Sequence, residues 1–426
     1  IIAHGTQDVQ YAVQCATITG CPIVPKSGGH SYAKYSYGNS NSFVIDMSNF
    51  NSITIDRQSK TAYFGSGVLL GQAYWKLWSH GRFAIPAGLC PFVGIGGHSL
   101  GGGYGLLARK FGMLSDNIVS MEVVTADGKV LHTCKDSNRD LFWALRGAGN
   151  NNFGIVTNIK TKIHDVSYNL TLVHKKYDLK YFREVFNAWQ KWAKSNPDRS
   201  VTSDVLFEGN DVHMFAVITE KDQAKSFEIA VDIHKRMPRN EKMDFRTSFH
   251  YIEMVKYFAK VIDPFGREVN DSSTLGKGEQ TPVFLKVKSY YAQRLATDVE
   301  MKTMLHLMKK APTGTNVLFE MQGGAIADLK SNETAFFHRN KNLFSVMIAY
   351  DTPDYSNNED GVKWINQFFN ETKSLNSGFS FFNLVDEDLD NSLQSYYGEN
   401  LQKLKKIKKK YDPNNLFTYK QAVPLS

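Results

Sequence analysis

The chain has 426 residues, of which 42% are hydrophobic and 13% aromatic, and these values predict a large globular protein whose two domains share a cleft. Its apolar runs all fall short of the roughly 20 residues that a membrane helix requires, so no membrane association is expected. The formal net charge is +8, but the basic residues are not gathered on one element with interleaved aromatic residues, which argues against a nucleic-acid-binding protein.

The beginning of the chain, IIAHGTQDVQYAVQCA, has neither an initiator Met nor the basic and then apolar pattern of a signal peptide, and it predicts the body of a longer precursor. Glycosylation sequons favour a secreted, extracellular glycoprotein and lie at Asn169, Asn270, Asn332 and Asn370. Four cysteines are too few for a disulfide scaffold and lack zinc-site spacing: Cys15, Cys21, Cys90 and Cys134. Cys15 and Cys21 either pair or stay reduced.

Residues 1 to about 160 are rich in predicted strands that end in glycine-containing turns, such as FVIDM, SITID and TAYFGSGV. From Asn169 to Phe382, helical patterns over 179–195 and 361–375 alternate with strand-like runs. This order predicts an α+β second domain on a first domain that binds a ligand through loops. Residues 401–417 predict a docked amphipathic helix with solvated lysines, which Asp412-Pro413 ends.

Two glycine clusters stand out, PKSGGHSY at 25–32 and GLCPFVGIGGHSLGGGYG at 88–105. Glycine disfavours helix and strand alike, so regular packing does not account for them. The longer cluster fails the dinucleotide fingerprint because Ser99 stands where the third glycine belongs, and a Walker loop is absent. Their dense backbone N–H groups predict an extended, diphosphate-containing ligand that is gripped from two sides.

With DGKVLH, DLFWALRGAGNNNFGIVT and the terminal YYGENLQKLKKIKKKYDPNNLF, these clusters resemble the berberine bridge enzyme-like oxidases. That family shares the flavin fold of vanillyl-alcohol oxidase and p-cresol methylhydroxylase (PCMH) and includes glucooligosaccharide and chitooligosaccharide oxidases. The resemblance covers the first domain and the C-terminus well, but in the middle only Gly323-Gly324 and Phe337-His338-Arg339 match clearly.

The resemblance implies an α+β, two-domain FAD-binding fold of the vanillyl-alcohol oxidase/PCMH type. The FAD-binding domain is expected over residues 1–165, completed by residues 385–426, and a substrate domain with an antiparallel sheet over residues 166–384. The implied activity is that of an FAD-linked oxidase that oxidises a CH–OH donor with O2 as acceptor and works as a monomer.

Two residues match covalent attachment points of the flavin in this family: His30 at the 8α carbon and Cys90 at C6. Val93 matches the position on the oxygen-access side, and the glycines are expected to lie against the cofactor with no Cβ in the way. Gly154, Ile155 and Val156 match the strand against the adenosine. The full set of expected cofactor contacts is Ser27, Gly28, Gly29, His30, Ser31, Cys90, Val93, Gly94, Gly96, Gly97, His98, Gly101, Gly102, Tyr104, Gly154, Ile155 and Val156.

The catalytic site departs from the pattern of the sugar-oxidising relatives, whose base is a tyrosine in an Asn-Tyr pair. Here the pair is Asn383-Leu384, and Met347 stands at the position of an assisting glutamine. Glu320 fills the acid position in LFEMQGG, while Tyr32 and Tyr104 match a substrate-facing and a base-assisting tyrosine. Glu320 or Tyr104 is therefore expected to be the base. The expected substrate contacts are Tyr32, Glu320, Gln322, Met347 and Leu384.

Three functions stay open at this point. The first is a carbohydrate oxidase that converts the anomeric hydroxyl of a mono- or oligosaccharide to a lactone and releases H2O2. The second is an oxidase or dehydrogenase of a less polar alcohol or secondary metabolite, because Leu384 and Met347 suit a less polar ligand than a sugar. The third is a flavin-retaining protein with lost or altered catalysis, because the expected phenol is missing.

Overall fold

Two antiparallel sheets dominate the computed structural model, which describes residues 1–239, 241–262, 271–277, 283–339, 341–356 and 358–426. The sequon at Asn270 lies outside the described residues. Cys15 and Cys21, whose pairing the sequence leaves open, form no disulfide. In the described part of the chain, no helix has the length and apolar character needed to cross a membrane.

The first part of the chain forms a five-stranded antiparallel sheet of order β3-β4-β8-β6-β7 and two small pairs, β1-β2 and β5-β9. Its strands are β1 Ile23–Lys26, β2 Phe43–Asp46, β3 Ile53–Asp56, β4 Thr61–Gly65, β5 Phe83–Ala84, β6 Ile118–Val124, β7 Val130–Cys134, β8 Ile155–Lys162 and β9 His164–Asp165. Its helices are α1 Thr6–Thr19, α2 Leu70–Ser79, α3 Ile95–Leu100, α4 Ala108–Phe111 and α5 Arg139–Ala148.

Helix α3 lies inside the longer glycine cluster, where the composition predicts neither helix nor strand. The helix is six residues long and is followed by Gly102 and Gly103, whose φ angles of 128° and 76° favour glycine. The centre of this cluster is therefore helical despite its glycine content. The glycines that follow the helix turn the chain sharply away from it.

The second part of the chain forms a seven-stranded antiparallel sheet of order β13-β10-β12-β11-β15-β16-β14, which confirms the predicted antiparallel sheet. Its strands are β10 Leu170–Asp178, β11 Val201–Glu208, β12 Asp211–Ile218, β13 Glu241–Phe249, β14 Phe284–Ala292, β15 Thr315–Met321 and β16 Phe344–Thr352. Its helices are α6 Phe182–Lys194, α7 Gln223–Arg236, α8 Tyr251–Ile262, α9 Asp298–Met308 and α10 Glu359–Glu371.

The two faces of this sheet have different neighbours. On the outer face, side chains such as Val205 and Phe207 pack with Phe186 and Trp189 of α6 and with α7, α9 and α10. The inner face packs against α8 and the first part of the chain, where Leu206 joins a cluster with Trp78 of α2. Because side chains alternate along a strand, one residue out of two on β11 faces the first part of the chain.

The C-terminal helices are α11 Ser392–Tyr397 and α12 Leu401–Tyr411, and α12 ends just before Asp412-Pro413. Leu401, Leu404 and Ile407 are buried in a cluster with α5 and β8. One lysine departs from the predicted solvated face. Lys408 is fully buried, forms a salt bridge of 2.6 Å with Asp412 and donates to two backbone carbonyls.

Candidate active site

A row of polar side chains crosses the inner face of the seven-stranded sheet. Asp204 of β11 is the register partner of Glu320 of β15. Glu320 is in turn opposite Ser345 of β16, and Ser345 is opposite Tyr291 of β14. Directly opposed residues of antiparallel strands point to the same face, so all four side chains lie on the side of the glycine clusters.

Glu320 is the partly exposed acid of this row. Its Oε2 accepts a hydrogen bond of 2.8 Å from the Ser345 hydroxyl. Burial raises the pKa of the Glu320 carboxyl to about 7, although the bond from Ser345 works against this rise. A carboxyl group of this kind is about half ionised at neutral pH and can accept a proton there.

Asp204 is the buried acid of the row, with 6% of its surface exposed. The backbone N–H of Met321 donates to its carboxyl group, whereas its Oδ1 has no hydrogen-bond partner among the described residues. Burial raises the pKa of Asp204 well above its usual range, and the charge of Glu320 raises it further. The two acids therefore interact directly.

Two of the predicted site tyrosines lie beside this pair. The Tyr104 hydroxyl donates to the Met321 carbonyl at 2.9 Å, and burial raises its pKa well above 10. Burial also raises the pKa of Tyr32, and the charges of Cys90 and Glu320 add to the rise. Tyr32 thus lies within electrostatic reach of both Cys90 and Glu320, so the structure brings both glycine clusters close to the acid row.

His30 and His98 come from different clusters and are neighbours. Nε2 of His98 accepts a hydrogen bond of 2.9 Å from the Gly88 N–H, so that nitrogen is unprotonated. Burial lowers the pKa of His98 to about 4, and His30 contributes to the shift. The His98 side chain therefore stabilises its own loop through the Gly88 N–H.

The glycines themselves face protein more often than open space, which corrects the expectation that they keep Cβ atoms away from a cofactor. A Cβ on Gly28 would lie 2.4 Å from the Gly94 nitrogen, and one on Gly101 would lie 2.5 Å from the Asn383 amide. Within the two described clusters, only Gly97 would have no atom within 4 Å of an added Cβ. Most glycines of the two clusters therefore have protein atoms where a Cβ would lie, and Gly28 and Gly94 allow the clusters to contact each other.

Other residues that are predicted to contact the cofactor also form hydrogen bonds or close contacts with the protein. Ser27 Oγ donates to the Ser66 carbonyl at 2.6 Å, and Ser31 Oγ accepts from the Tyr35 N–H at 3.1 Å. Added Cβ atoms would meet Ser66 O at Gly96, Tyr37 at Gly29, Phe336 at Gly102 and Val123 at Gly154. Val93 is partly buried, and Ile155 and Val156 have buried side chains on β8.

The residues present nevertheless fit a flavin dinucleotide. His30 and Cys90 lie on two clusters that touch at Gly28 and Gly94, and Tyr32, two residues after His30, lies within the electrostatic reach of Cys90. Bare backbone faces open space at Gly97. Buried polar atoms without a hydrogen-bond partner among the described residues remain for a polar ligand, namely Ser66 Oγ, Asn150 Oδ1 and both amide atoms of Asn151.

The predicted substrate contacts separate into two groups. Gln322 is buried, and its Nε2 donates to Ser345 Oγ at 3.1 Å, so it supports the serine that binds Glu320. Met347 is partly exposed on the same face of β16 as Ser345. Leu384 packs at the edge of a cluster that contains Tyr104 and Tyr291. The surface around the acid row is therefore largely apolar and aromatic.

Several residues that build this site are not evident from the sequence, namely Asp204, Tyr291, Ser345, Asn383 as a bridging side chain, and Arg109. Asn383 Oδ1 accepts from the Gly103 N–H at 3.0 Å, and its amide donates to the Gly97 carbonyl at 3.4 Å. A partial signal existed for Asp204, since it is an acid in the interior of the strand-like segment VTSDVLFE, where every second side chain points to the same face. The pairing partners were not visible in the sequence.

Arg109 of α4 holds the strands of the acid row together. It is fully buried and donates to the carbonyl of Gln322 at 3.0 Å and to the carbonyl of Val201 at 2.5 Å. These carbonyls flank β15 and β11, the strands that carry Glu320 and Asp204. A cation from the first part of the chain therefore fixes the ends of both strands, and no carboxylate of the described residues forms a salt bridge with it.

Comparisons with known proteins agree with the predicted fold. Residues 1–134 match the FAD binding domain family, and residues 380–424 match the family described as berberine and berberine like. The whole chain is 31% identical to YgaK of Bacillus subtilis (strain 168), an uncharacterised FAD-linked oxidoreductase, and covers 90% of it.

Solved structures are similar over the full length of the chain. Physcomitrella patens BBE-like 1 matches with a TM-score of 0.92 and 30% identity, and a chitooligosaccharide oxidase with a TM-score of 0.86 and 26% identity. Each match covers 100% of this chain and 91% of the other. These likenesses confirm the two-domain α+β FAD-binding fold of the vanillyl-alcohol oxidase/PCMH type.

Proposed function

Since the chain belongs to the berberine bridge enzyme-like family of FAD-linked oxidoreductases, we propose that this FAD-dependent oxidase acts on an alcohol and that Glu320 is its base. The observation that carries the proposal is the position of Glu320. Its carboxyl group is partly exposed, has a pKa of about 7 and lies beside Tyr32, which is itself within the electrostatic reach of Cys90.

Held by the two glycine clusters, a flavin would supply the hydride acceptor for the alcohol, with O2 as the final electron acceptor and H2O2 as the product. Glu320 in its ionised form takes the proton from the substrate hydroxyl. The Ser345 hydroxyl holds one carboxyl oxygen and leaves the other for the substrate. Tyr32 keeps its proton at neutral pH, because burial raises its pKa, and can donate a hydrogen bond to the same substrate oxygen.

Glu320 suits the role of the base better than Tyr104. The Tyr104 hydroxyl is already bound to the Met321 carbonyl, and its pKa lies well above 10. To act as the base, Tyr104 would have to give up that hydrogen bond and lose its own proton. Its phenolate form is scarce at neutral pH. Tyr104 therefore holds the end of β15 next to Glu320, and we assign it no proton transfer.

His30 and Cys90 are proposed as the two covalent attachment points of FAD. Protein that is denatured and precipitated with acid is expected to stay yellow, and the double variant His30→Ala, Cys90→Ala is expected to release its flavin. Recovery of free FAD from the unaltered protein would contradict this proposal. The single variants, each keeping one of the two links, serve as controls.

For the substrate, the first candidate is the anomeric hydroxyl of a mono- or oligosaccharide, which becomes a lactone. The similarity to a chitooligosaccharide oxidase and the polar row of the sheet support this candidate. The second candidate is a less polar alcohol or secondary metabolite, and the apolar surface at Leu384 and the partly exposed Met347 support it.

A panel of donors separates the two candidates. Peroxide release with cello- or chito-oligosaccharides supports the first, and turnover of apolar alcohols supports the second. A dye acceptor in parallel assays distinguishes an oxidase from a dehydrogenase. Absence of turnover with every donor and acceptor favours the third possibility, a flavin-retaining protein with lost or altered catalysis.

An extracellular, glycosylated form of the protein is also proposed. The sequon asparagines Asn332 and Asn370 are exposed on the structure, as a glycan requires. Expression through a secretory pathway should give protein that loses mass on treatment with an N-glycosidase. An unchanged mass would argue against this part of the proposal.

A further inference from the structure

Asp204 and Glu320 are two carboxyl groups on adjacent strands that share one small region of the sheet. They are direct cross-strand partners, which places their Cβ atoms about 5 Å apart. No cation among the described residues forms a salt bridge with either group. Two negative charges at this spacing and without a cation repel each other, so the pair retains a proton at neutral pH.

The surroundings decide which acid keeps that proton. Asp204 is 6% exposed, and its Oδ1 has no hydrogen-bond partner in the described part of the chain. Glu320 keeps part of its surface exposed and receives a hydrogen bond from Ser345. A charge on Glu320 is therefore better solvated than a charge on Asp204.

We propose that Asp204 stays protonated at neutral pH while Glu320 exchanges its proton with the substrate, so that Asp204 is a positioning residue for the base. The inference rests on the proposed function, in which Glu320 is that base. Asp204 then supplies a neutral partner with one O–H donor next to the carboxylate. In this arrangement only one negative charge has to be held in the site.

The other ionisable groups around the pair do not change this assignment. They are Tyr104 from the longer glycine cluster, Tyr32 from the shorter one, Tyr291 from β14, the cations Arg109 and Arg339, and Cys90. Burial keeps all three phenols protonated at neutral pH, and Cys90 acts on Tyr32. Arg109 donates to backbone carbonyls, and Arg339 forms a bidentate pair with Asp116 at 2.7 and 2.8 Å. Neither cation is therefore available to neutralise a charge on Asp204.

Infrared absorption of protonated carboxyl groups, measured on the flavin-loaded protein in D2O between pH 5 and 9, tests the proposal without a substrate. The unaltered protein should keep one protonated carboxyl band above pH 8, and Asp204→Asn should abolish it. A second band should lose intensity near pH 7 and be absent in Glu320→Gln. Asp351→Asn is the matched control, because Asp351 lies on the same sheet, has a pKa raised to about 6 by burial and Glu208, and has no link to Glu320.

Asparagine is neutral and nearly isosteric with protonated aspartic acid. Asp204→Asn should therefore move the pH midpoint of the Glu320 band by less than about one unit. Glu320→Gln supplies a second test if Asp204→Asn does not fold, since loss of the neighbouring charge should lower the pH at which the Asp204 band disappears. Absence of a protonated band above pH 8, or an Asp204 band that Glu320→Gln leaves unmoved, would overturn the proposal. Full turnover of Glu320→Gln on an accepted donor would refute the proposed base instead and leave these spectra to decide on Asp204.

Discussion

The raised pKa of Glu320 should make the stability of the protein depend on pH, and Glu320→Gln isolates that dependence. The variant is best made in the Asp204→Asn background, so that one carboxyl of the pair titrates alone. Below pH 4.5 the Glu320 carboxyl is protonated in the folded and the unfolded state. As the pH rises from 4.5 to about 7, the unfolded state has released a proton that the folded state still holds, so the folded state loses stability over this interval and no further above it.

The size of this loss follows from the shift from 4.5 to about 7. At about 1.4 kcal/mol per pH unit, it amounts to about 3 kcal/mol, all of it present at low pH and lost above neutrality. For a chain of this length the unfolding entropy is about 0.9 kcal/mol per kelvin, so the corresponding change in Tm is about 3 °C.

The assay is thermal unfolding of the flavin-loaded proteins at several values between pH 4.5 and 8.5. Relative to its parent, Glu320→Gln should gain about 3 °C at pH 8.5 compared with pH 4.5. Glu228→Gln, which removes an exposed carboxylate of α7, controls for the loss of one charge and should show no such trend. A difference between Glu320→Gln and its parent that stays constant over this pH range would refute the argument from burial.

Four further variants test how the site is built. Gly28→Ala should lower the Tm by several degrees, because its Cβ would lie 2.4 Å from backbone. Gly97→Ala should leave the Tm of the flavin-free protein unchanged, because its Cβ would point into open space. The same variant should bind less flavin, measured by absorbance. Tyr104→Phe should cost about 1 kcal/mol by loss of its bond to the Met321 carbonyl, and an altered pH midpoint of turnover would contradict our choice of base. Arg339→Met leaves a buried carboxylate unpaired and should cost about 3–5 kcal/mol in denaturant unfolding, more than the exposed-site control Arg199→Met.

Many features of this protein can be predicted from short segments of its sequence. The two glycine clusters with their histidine and cysteine, the strand-forming first part and the amphipathic helix before Asp412-Pro413 depend on residues that are close together in the chain. Turn chemistry, side-chain periodicity and helix-ending residues act within a few positions, so they can be recognised without a structure. For the same reason the family resemblance is clear in these segments.

The tertiary structure decided what the local patterns left open. The partner of Glu320 is Asp204, more than a hundred residues earlier in the chain, and the register of two strands alone brings them together. The glycines meet protein atoms rather than mainly open space, because the two clusters contact each other at Gly28 and Gly94 and distant residues such as Asn383 and Phe336 pack against the longer one. Lys408 is buried because distant carbonyls and Asp412 surround it. Each of these facts depends on which distant segments are in contact, and burial then sets the proton affinities on which the proposed chemistry depends.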